Sequence, residues 1–222
     1  MIKVAPWSFS KIKAFEQCPK QFYHEKILKE FPFVPTEATL YGTAFHKAAE
    51  DFIGEDKPLP KKFSFAEKTL LSLKNKPGQK LCEIKLGVTE NLEECGFFAK
   101  DVWFRGVADL VILDGDLAWV IDYKTGKSSK YASKDQLELM ALALFIKYPQ
   151  IKKIRAGLLF VICNDLIKDT YEQYDTGRLW NKWLGKFGQM QTAADEDMWN
   201  ARPNGLCRRH CPVLECVHNG AN

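Results

Sequence analysis

The chain has 222 residues, 46% hydrophobic and 27% charged, an ordinary globular usage that excludes a disordered or fibrous protein. Lys and Arg number 32 against 28 Asp and Glu, a formal net charge of +4, which permits a nucleic-acid partner without arguing for one. The longest uncharged apolar run, Leu139 to Ile146, is far short of the roughly 20 residues a spanning helix needs. Residues 1–10 show no basic region followed by an apolar core. No membrane partner is therefore expected, and the chain reads as intracellular and cytoplasmic. Seven cysteines, an odd number, argue against a disulfide framework and for metal or cluster ligation where they are grouped.

The first third reads helical. Ser8 or Ser10 can cap a helix with Ile12 and Phe15 on one face. Pro19 interrupts it and suits a first helical turn, which puts Cys18 at a break between two helices. After a loop from Phe31 to Pro35, Ala38 to Ile53 is helical again, with Tyr41, Phe45, Ala48 and Phe52 as its stripe. Lys57 to Pro60 is a connector, and Phe63 to Lys74 a further helix. The middle is sheet. Leu81 to Thr89 alternates loosely, and Val102 to Leu113 and Leu117 to Lys124 are β-rich runs around the hairpin signal Asp114-Gly115-Asp116. Asp135 to Tyr148 is a Leu/Ala-rich helix. Ile154 to Cys163 and Ile167 to Tyr174 are strands turning at Asn164-Asp165. Arg178 to Ala194 is the final helix, before a cysteine-rich tail.

Chemistry concentrates in the central hairpin. Residues two apart on a strand share a face, so Asp109 lies with Val107 and Val111, the only charge in an apolar run. Asp122 and Lys124 lie with Ala118 and Val120. A two-residue turn at Gly115-Asp116 sets Asp109 opposite Asp122. A turn at Asp114-Gly115 shifts the pairing by two and keeps both carboxylates on one face. A three-residue loop without a bulge separates them. Two carboxylates and an ammonium are costly to bury together, and a hard divalent cation with oxygen ligands would offset that cost. Each Asp taken alone also fits a turn residue or a surface ion pair.

The text Arg105-Gly-Val-Ala-Asp109-Leu, followed by Val120-Ile-Asp122-Tyr123-Lys124-Thr-Gly126, resembles the RecB-like branch of the PD-(D/E)XK nuclease family. Tyr41-Gly42-Thr-Ala-Phe45-His46 resembles that branch's helix, with Gly four residues before a metal-binding His. Gln136-Leu-Glu-Leu-Met140 sits where the branch has Gln-x-x-x-Tyr, Met140 departing from the Tyr. The resemblance covers roughly residues 7–216. It implies an α/β fold, a restriction-endonuclease-like mixed sheet flanked by helices. It implies Mg²⁺- or Mn²⁺-dependent cleavage of DNA phosphodiesters, with His46, Asp109, Asp122 and the Tyr123 backbone carbonyl as metal ligands. Lys124 would position the attacking water, and Gln136, Lys127, Lys130 and Lys134 would lie near the DNA backbone. Glu83 on the preceding strand is within reach of the site but reads more simply as a solvent-facing residue, and Lys127, Lys130 and Lys134 fit a solvated loop equally well.

In the tail, Cys207, Cys211 and Cys216 lie within ten residues, a density suited to a soft metal or an iron–sulfur cluster. Cys18, in Phe15-Glu-Gln-Cys18-Pro-Lys-Gln-Phe22, resembles the N-terminal cysteine of the iron–sulfur members of the RecB-like branch, such as AddB and the CRISPR-associated adaptation nucleases. That resemblance implies a 4Fe–4S cluster held by Cys18, Cys207, Cys211 and Cys216, stapling the chain ends. The tail departs from the family's spacing, with three and four intervening residues rather than two and five. Zn²⁺ with His218 or His210 as fourth ligand therefore stays open. Cys82, Cys95 and Cys163 read as core or strand residues.

The expectation is one nuclease domain over residues 1–222, with a helical part at 1–75, a core at 80–175 and a helix and cysteine tail at 178–222. Its function would be an exonuclease on single-stranded or end-containing DNA in recombination, repair or replication. A processing endonuclease subunit and a non-catalytic DNA-binding module are the alternatives. No P-loop is present, so a partner helicase or recombination protein would supply any unwinding. The compact size resembles virus-encoded members.

Overall fold

A computed structural model describes residues 2–130 and 132–220. They group in two compact units, residues 35–180 and residues 1–34 with 181–222.

The larger unit is built on a six-stranded sheet in the order β2-β1-β3-β4-β5-β6. The strands are β1 (Gln79–Val88), β2 (Glu94–Cys95), β3 (Phe104–Asp114), β4 (Leu117–Lys124), β5 (Lys153–Phe160) and β6 (Asp165–Glu172). Only β4 and β5 pair in parallel; the other neighbours are antiparallel. The sheet is thus mixed, as expected. The parallel pair needs a crossover, and α5 (Asp135–Lys147) provides it, buried along Leu137 and Leu139–Phe145. A helix this apolar all round belongs inside a protein. The β3–β4 turn falls at Gly115-Asp116, with Asp114 paired to Leu117. Gly115 has φ +63°, the sign that the first central position of a II′ turn demands.

One face of the sheet is covered by α3 (Glu37–Gly54), a 3₁₀ segment (Lys61–Ala66) and α4 (Glu67–Lys74). Thr36 caps α3 in a reciprocal box with Thr39. The stripe Phe45, Ala48, Ala49, Phe52 and Ile53 packs with Phe63, Leu70, Leu110, Ile112, Ile121, Tyr123 and Leu159. The stretch expected as one helix from Phe63 to Lys74 therefore splits, its first turn tightening to 3₁₀. β5 stops at Phe160, short of the expected Cys163, because Phe160 pairs with Asp165 and residues 161–164 make the turn.

In the smaller unit, α1 (Phe9–Gln17) is capped by Ser8, whose hydroxyl accepts from Lys11 N. Cys18 ends α1 and precedes α2 (Pro19–Phe22), with Pro19 in its first turn. A π-helical turn, Tyr23–Ile27, follows. Trp199 stacks on Tyr23 and Phe22, at 5.1 and 5.9 Å between ring centroids. The chain of α6 (Thr176–Asp195) contributes to both units. Among the described residues, no helix is long and apolar enough to cross a membrane.

Candidate active site

β3 and β4 carry the acids, and the ladder between them ends beside the acids. The last pair is Leu110 with Ile121; continuing that register sets Asp109 opposite Asp122. Instead, Tyr123 N–H donates to Asp109 Oδ2 at 2.7 Å. A side-chain carboxylate thus takes a main-chain donor, and regular pairing is lost where the site begins.

Alternation also breaks at this level. Cys82 packs against the core under α3, with its Sγ 3.6 Å from where a Cβ on Gly54 would lie. Its neighbour Glu83 is also turned toward α3, since His46, Glu50 and Lys47 all act on its charge. On β3, Leu110 belongs to the α3 core, and its neighbour Asp109 meets His46 of α3, Oδ1 to Nδ1 at 3.3 Å. Consecutive residues of a regular strand cannot share a face. The break shows as φ +51° at Glu83 and as an unpaired step between Cys82–Leu110 and Ile84–Ala108. A left-handed backbone in a non-glycine residue costs about 1 kcal/mol or more and clusters at functional sites. Here it presents Glu83 to the same point as Asp109. The ligand atoms of His46, Glu83 and Asp109 all lie within 4.8 Å of one another.

Asp122 and Lys124 alternate with Ile121 and Tyr123, so they face α5. Gln136, in the first turn of α5, donates from Nε2 to Asp122 Oδ1 at 2.5 Å and accepts from Lys124 Nζ at 2.9 Å. Lys124 Nζ also stands 2.6 Å from Asp122 Oδ2. That contact lies outside hydrogen-bond alignment, and the buried Oδ2 has no hydrogen-bond donor. The expectation that both carboxylates share one face is therefore modified: Asp109 leans to α3 and Asp122 to α5, and they remain electrostatic neighbours. Gly42, one turn before His46, packs on the end of this motif; a Cβ there would sit 3.2 Å from Thr125 Oγ1.

The charges are strained. Burial first, then the Asp109 carboxylate, pushes the Asp122 carboxyl up to about 6 despite Lys124. Burial and Asp109 likewise raise Glu83. Burial pulls His46 down, but its hydrogen bond to Asp109 and the charges of Asp109, Asp122 and Glu83 outweigh this and raise it. Three carboxylates repelling one another around a single imidazole and a single ammonium form a site short of positive charge.

In the smaller unit, Cys18, Cys207, Cys211 and Cys216 line one pocket with Asn204 and His218; His210 is not among the lining residues. Arg202 N–H points to Cys18 Sγ and Asn204 N–H to Cys207 Sγ, both at 3.4 Å. Burial raises the Cys211 thiol, and so do Cys207, Cys18 and Cys216. No three of these Sγ atoms lie within 4.8 Å of one another. Cys82 and Cys95 sit on β1 and β2, and Cys163 is exposed in the β5–β6 turn. Of the loop lysines, Lys134 pairs with Asp169 at 3.4 Å.

The model of the PD-(D/E)XK nuclease superfamily matches residues 6–216. The chain belongs to the PD-(D/E)XK nuclease superfamily. No curated protein matches it. Among solved structures, a "putative exonuclease" from Eubacterium rectale is 13% identical, with a TM-score of 0.54 over 94% of this chain and 89% of that one. A second, named SSO0001, is 14% identical, with a TM-score of 0.43 over 94% of this chain and 85% of that one. PD-(D/E)XK nucleases typically use divalent metals such as Mg²⁺ or Mn²⁺, and the residues present suit one. The donors gathered at one point are two carboxylate oxygens and an imidazole nitrogen; Asp122, ion-paired with Lys124, stands outside that gathering. Glu83 is the member of this set that sequence reasoning considers and assigns to solvent. The long connection between β1 and β3 hides that its antiparallel position lies opposite Asp109.

Proposed function

We propose that this chain is a Mg²⁺- or Mn²⁺-dependent deoxyribonuclease, hydrolysing phosphodiesters as an exonuclease on single-stranded or end-containing DNA. The observation that carries the reading is the gathering of His46, Glu83 and Asp109 on the same motif as the buried Asp122, which Lys124 and Gln136 hold. His46, Glu83 and Asp109 would hold the cation, with Asp122 and the Tyr123 carbonyl completing the protein ligands. When bound, the cation supplies Lewis acidity that polarises the phosphate and makes water a stronger acid. Asp109 is held in place by Tyr123 N–H and His46. Gln136 holds Asp122 and Lys124 in one geometry, so the Lys124 ammonium is aimed rather than floating. From there it orients water for in-line attack and meets the charge developing on the phosphate. The exonuclease reading is supported by the resemblance to the RecB-like branch and by the fold shared with a structure named a putative exonuclease. The family match spans both units, which supports reading residues 1–222 as one nuclease domain. Digestion of end-labelled single- and double-stranded DNA with Mg²⁺ or Mn²⁺, beside a circular control, tests this. Cleavage of the circle at the rate of the linear form refutes the exonuclease, and no cleavage of any substrate refutes the enzyme.

We propose also that Cys18, Cys207, Cys211 and Cys216 hold a 4Fe–4S cluster. Their shared pocket supports this, as do the N–H groups aimed at two of the sulfurs, a feature that tunes such clusters. Protein purified without oxygen should be brown, with about four irons per chain. A colourless preparation holding one zinc refutes the cluster.

A further inference from the structure

Beyond the acids, the same sheet face carries an arrangement that the hydrolytic chemistry does not use. Phe97 and Phe98, in the connection between β2 and β3, meet edge to face at 4.9 Å between centroids. Phe98 is 75% exposed. Arg105 on β3 lies over both rings, at 5.3 and 5.4 Å, and Lys85 on β1 does the same, at 5.9 and 5.7 Å. These distances are within cation–π range. Neither cation forms an ion pair among the described residues, and Arg105 Nε is buried with no hydrogen-bond partner. A lone exposed Phe needs no explanation. An exposed ring on a half-buried one, bracketed by two cations without an acidic partner among the described residues, does.

Its position gives the explanation. Pairing between β1 and β3 is unbroken from Ile84–Ala108 to Val88–Phe104, so alternation holds over this stretch. Arg105 therefore shares the face of Asp109, four residues and about 13 Å along β3. Lys85 shares the face of Glu83, two residues and about 7 Å along β1. The rings, the cations and the acids form one line on one face.

We propose that Phe97 and Phe98 are a base-stacking platform for a single-stranded segment of the substrate. Lys85 and Arg105 take its phosphates and lead the strand to Asp109 and Glu83. This rests on the nuclease reading and adds to it the strand state and the path of the substrate. The occupant follows from charge: two cations held against rings rather than carboxylates attract a polyanion, and the exposed Phe98 ring accepts any base only once that base is unpaired. A duplex hides those faces, so the platform selects single strands or frayed ends.

The test uses the full chain in EDTA, with a fluorescein-labelled oligothymidylate and a labelled duplex, followed by anisotropy. Phe98→Ala should weaken single-strand binding about tenfold or more, leave duplex binding alone and leave the salt slope unchanged. Lys85→Gln should lower the slope by about 0.7. Phe98→Trp should restore affinity. With Mn²⁺, the loss for Phe98→Ala should appear in KM rather than kcat. Because Phe98 is exposed, its removal should not alter the melting temperature. Single-strand affinity in Phe98→Ala equal to wild type, while wild type cleaves DNA, overturns the platform and spares the nuclease. Self-association of the wild type that Phe98→Ala abolishes overturns it in favour of a second copy of the chain. A wild type that neither binds nor cleaves any nucleic acid overturns both.

Discussion

Asp122→Asn removes one charge and almost no volume, so it isolates the cost of holding that charge. Burial and Asp109 raise the Asp122 carboxyl from 3.8 to about 6, a difference on the order of 3 kcal/mol. The sign is unfavourable above that value. Between pH 4 and 6 the folded protein keeps a proton that the unfolded chain releases, so stability falls as pH rises through this window and stays low beyond it. The amide that replaces the carboxyl has no such proton to lose, and its oxygen can still accept from Gln136. In EDTA at pH 8, the variant should therefore melt higher than wild type by up to about 3 kcal/mol, or roughly 5–10 °C for a chain this long. At pH 4 the two should converge. Mg²⁺ should then raise the melting temperature of wild type more than that of the variant, and cleavage by the variant should fall at least about a hundredfold. Scanning calorimetry at pH 4, 6 and 8, with and without metal, reads each step. A variant less stable than wild type at pH 8 in EDTA would show that the carboxylate serves the fold, and the reasoning from charge strain would be wrong.

His46→Ala should raise the Mn²⁺ concentration needed for half-maximal cleavage. In wild type, metal affinity should weaken as pH falls through the His46 titration, which Asp109 moves upward from 6.5, because a protonated imidazole cannot ligate; Mn²⁺ titrations at pH 6, 7 and 8 show whether the variant loses that dependence. Gln136→Ala frees Asp122 and Lys124 from their shared clamp, so kcat should drop by about tenfold or more while Mn²⁺ binding, followed by calorimetry, changes little. Cys18→Ala should lose both iron and several kcal/mol of stability, since a link from Cys18 to Cys207 would close nearly the whole chain into a loop; Cys82→Ala, Cys95→Ala and Cys163→Ala should keep the iron in anaerobic preparations.

The elements that periodicity marks are those that pack by periodicity. β4 begins and ends where its apolar run does, and the β3–β4 turn falls on Gly115 because that position needs φ +63°. The α3 stripe of Phe45, Ala48 and Phe52 is the face that meets the sheet. β2 escaped notice because two residues, Glu94 and Cys95, carry no period at all; they are a strand only through Gly87 and Val88. The 3₁₀ turn at Lys61–Ala66 escaped because Phe63 and Ala66, both buried, suit either helix type.

The site was legible where it follows strand alternation and hidden where it breaks it. Asp122 and Lys124 lie two apart on a regular strand, and Gln136 meets both because the crossover helix starts directly over them. Glu83 sits between Cys82 and Ile84, and regular alternation would turn it away from a core that contains Cys82. Its left-handed backbone reverses that direction, and a glutamate does not adopt such a conformation from local preference. The surroundings must therefore impose it: Cys82 is held in the core and the next residues remain paired to β3, so the irregular step confines itself to Glu83 and to Asp109 across from it. Both acids are delivered to His46 by one shared distortion. That arrangement is costly in the free protein, since it brings like charges together, and a cation at their meeting point would relieve it.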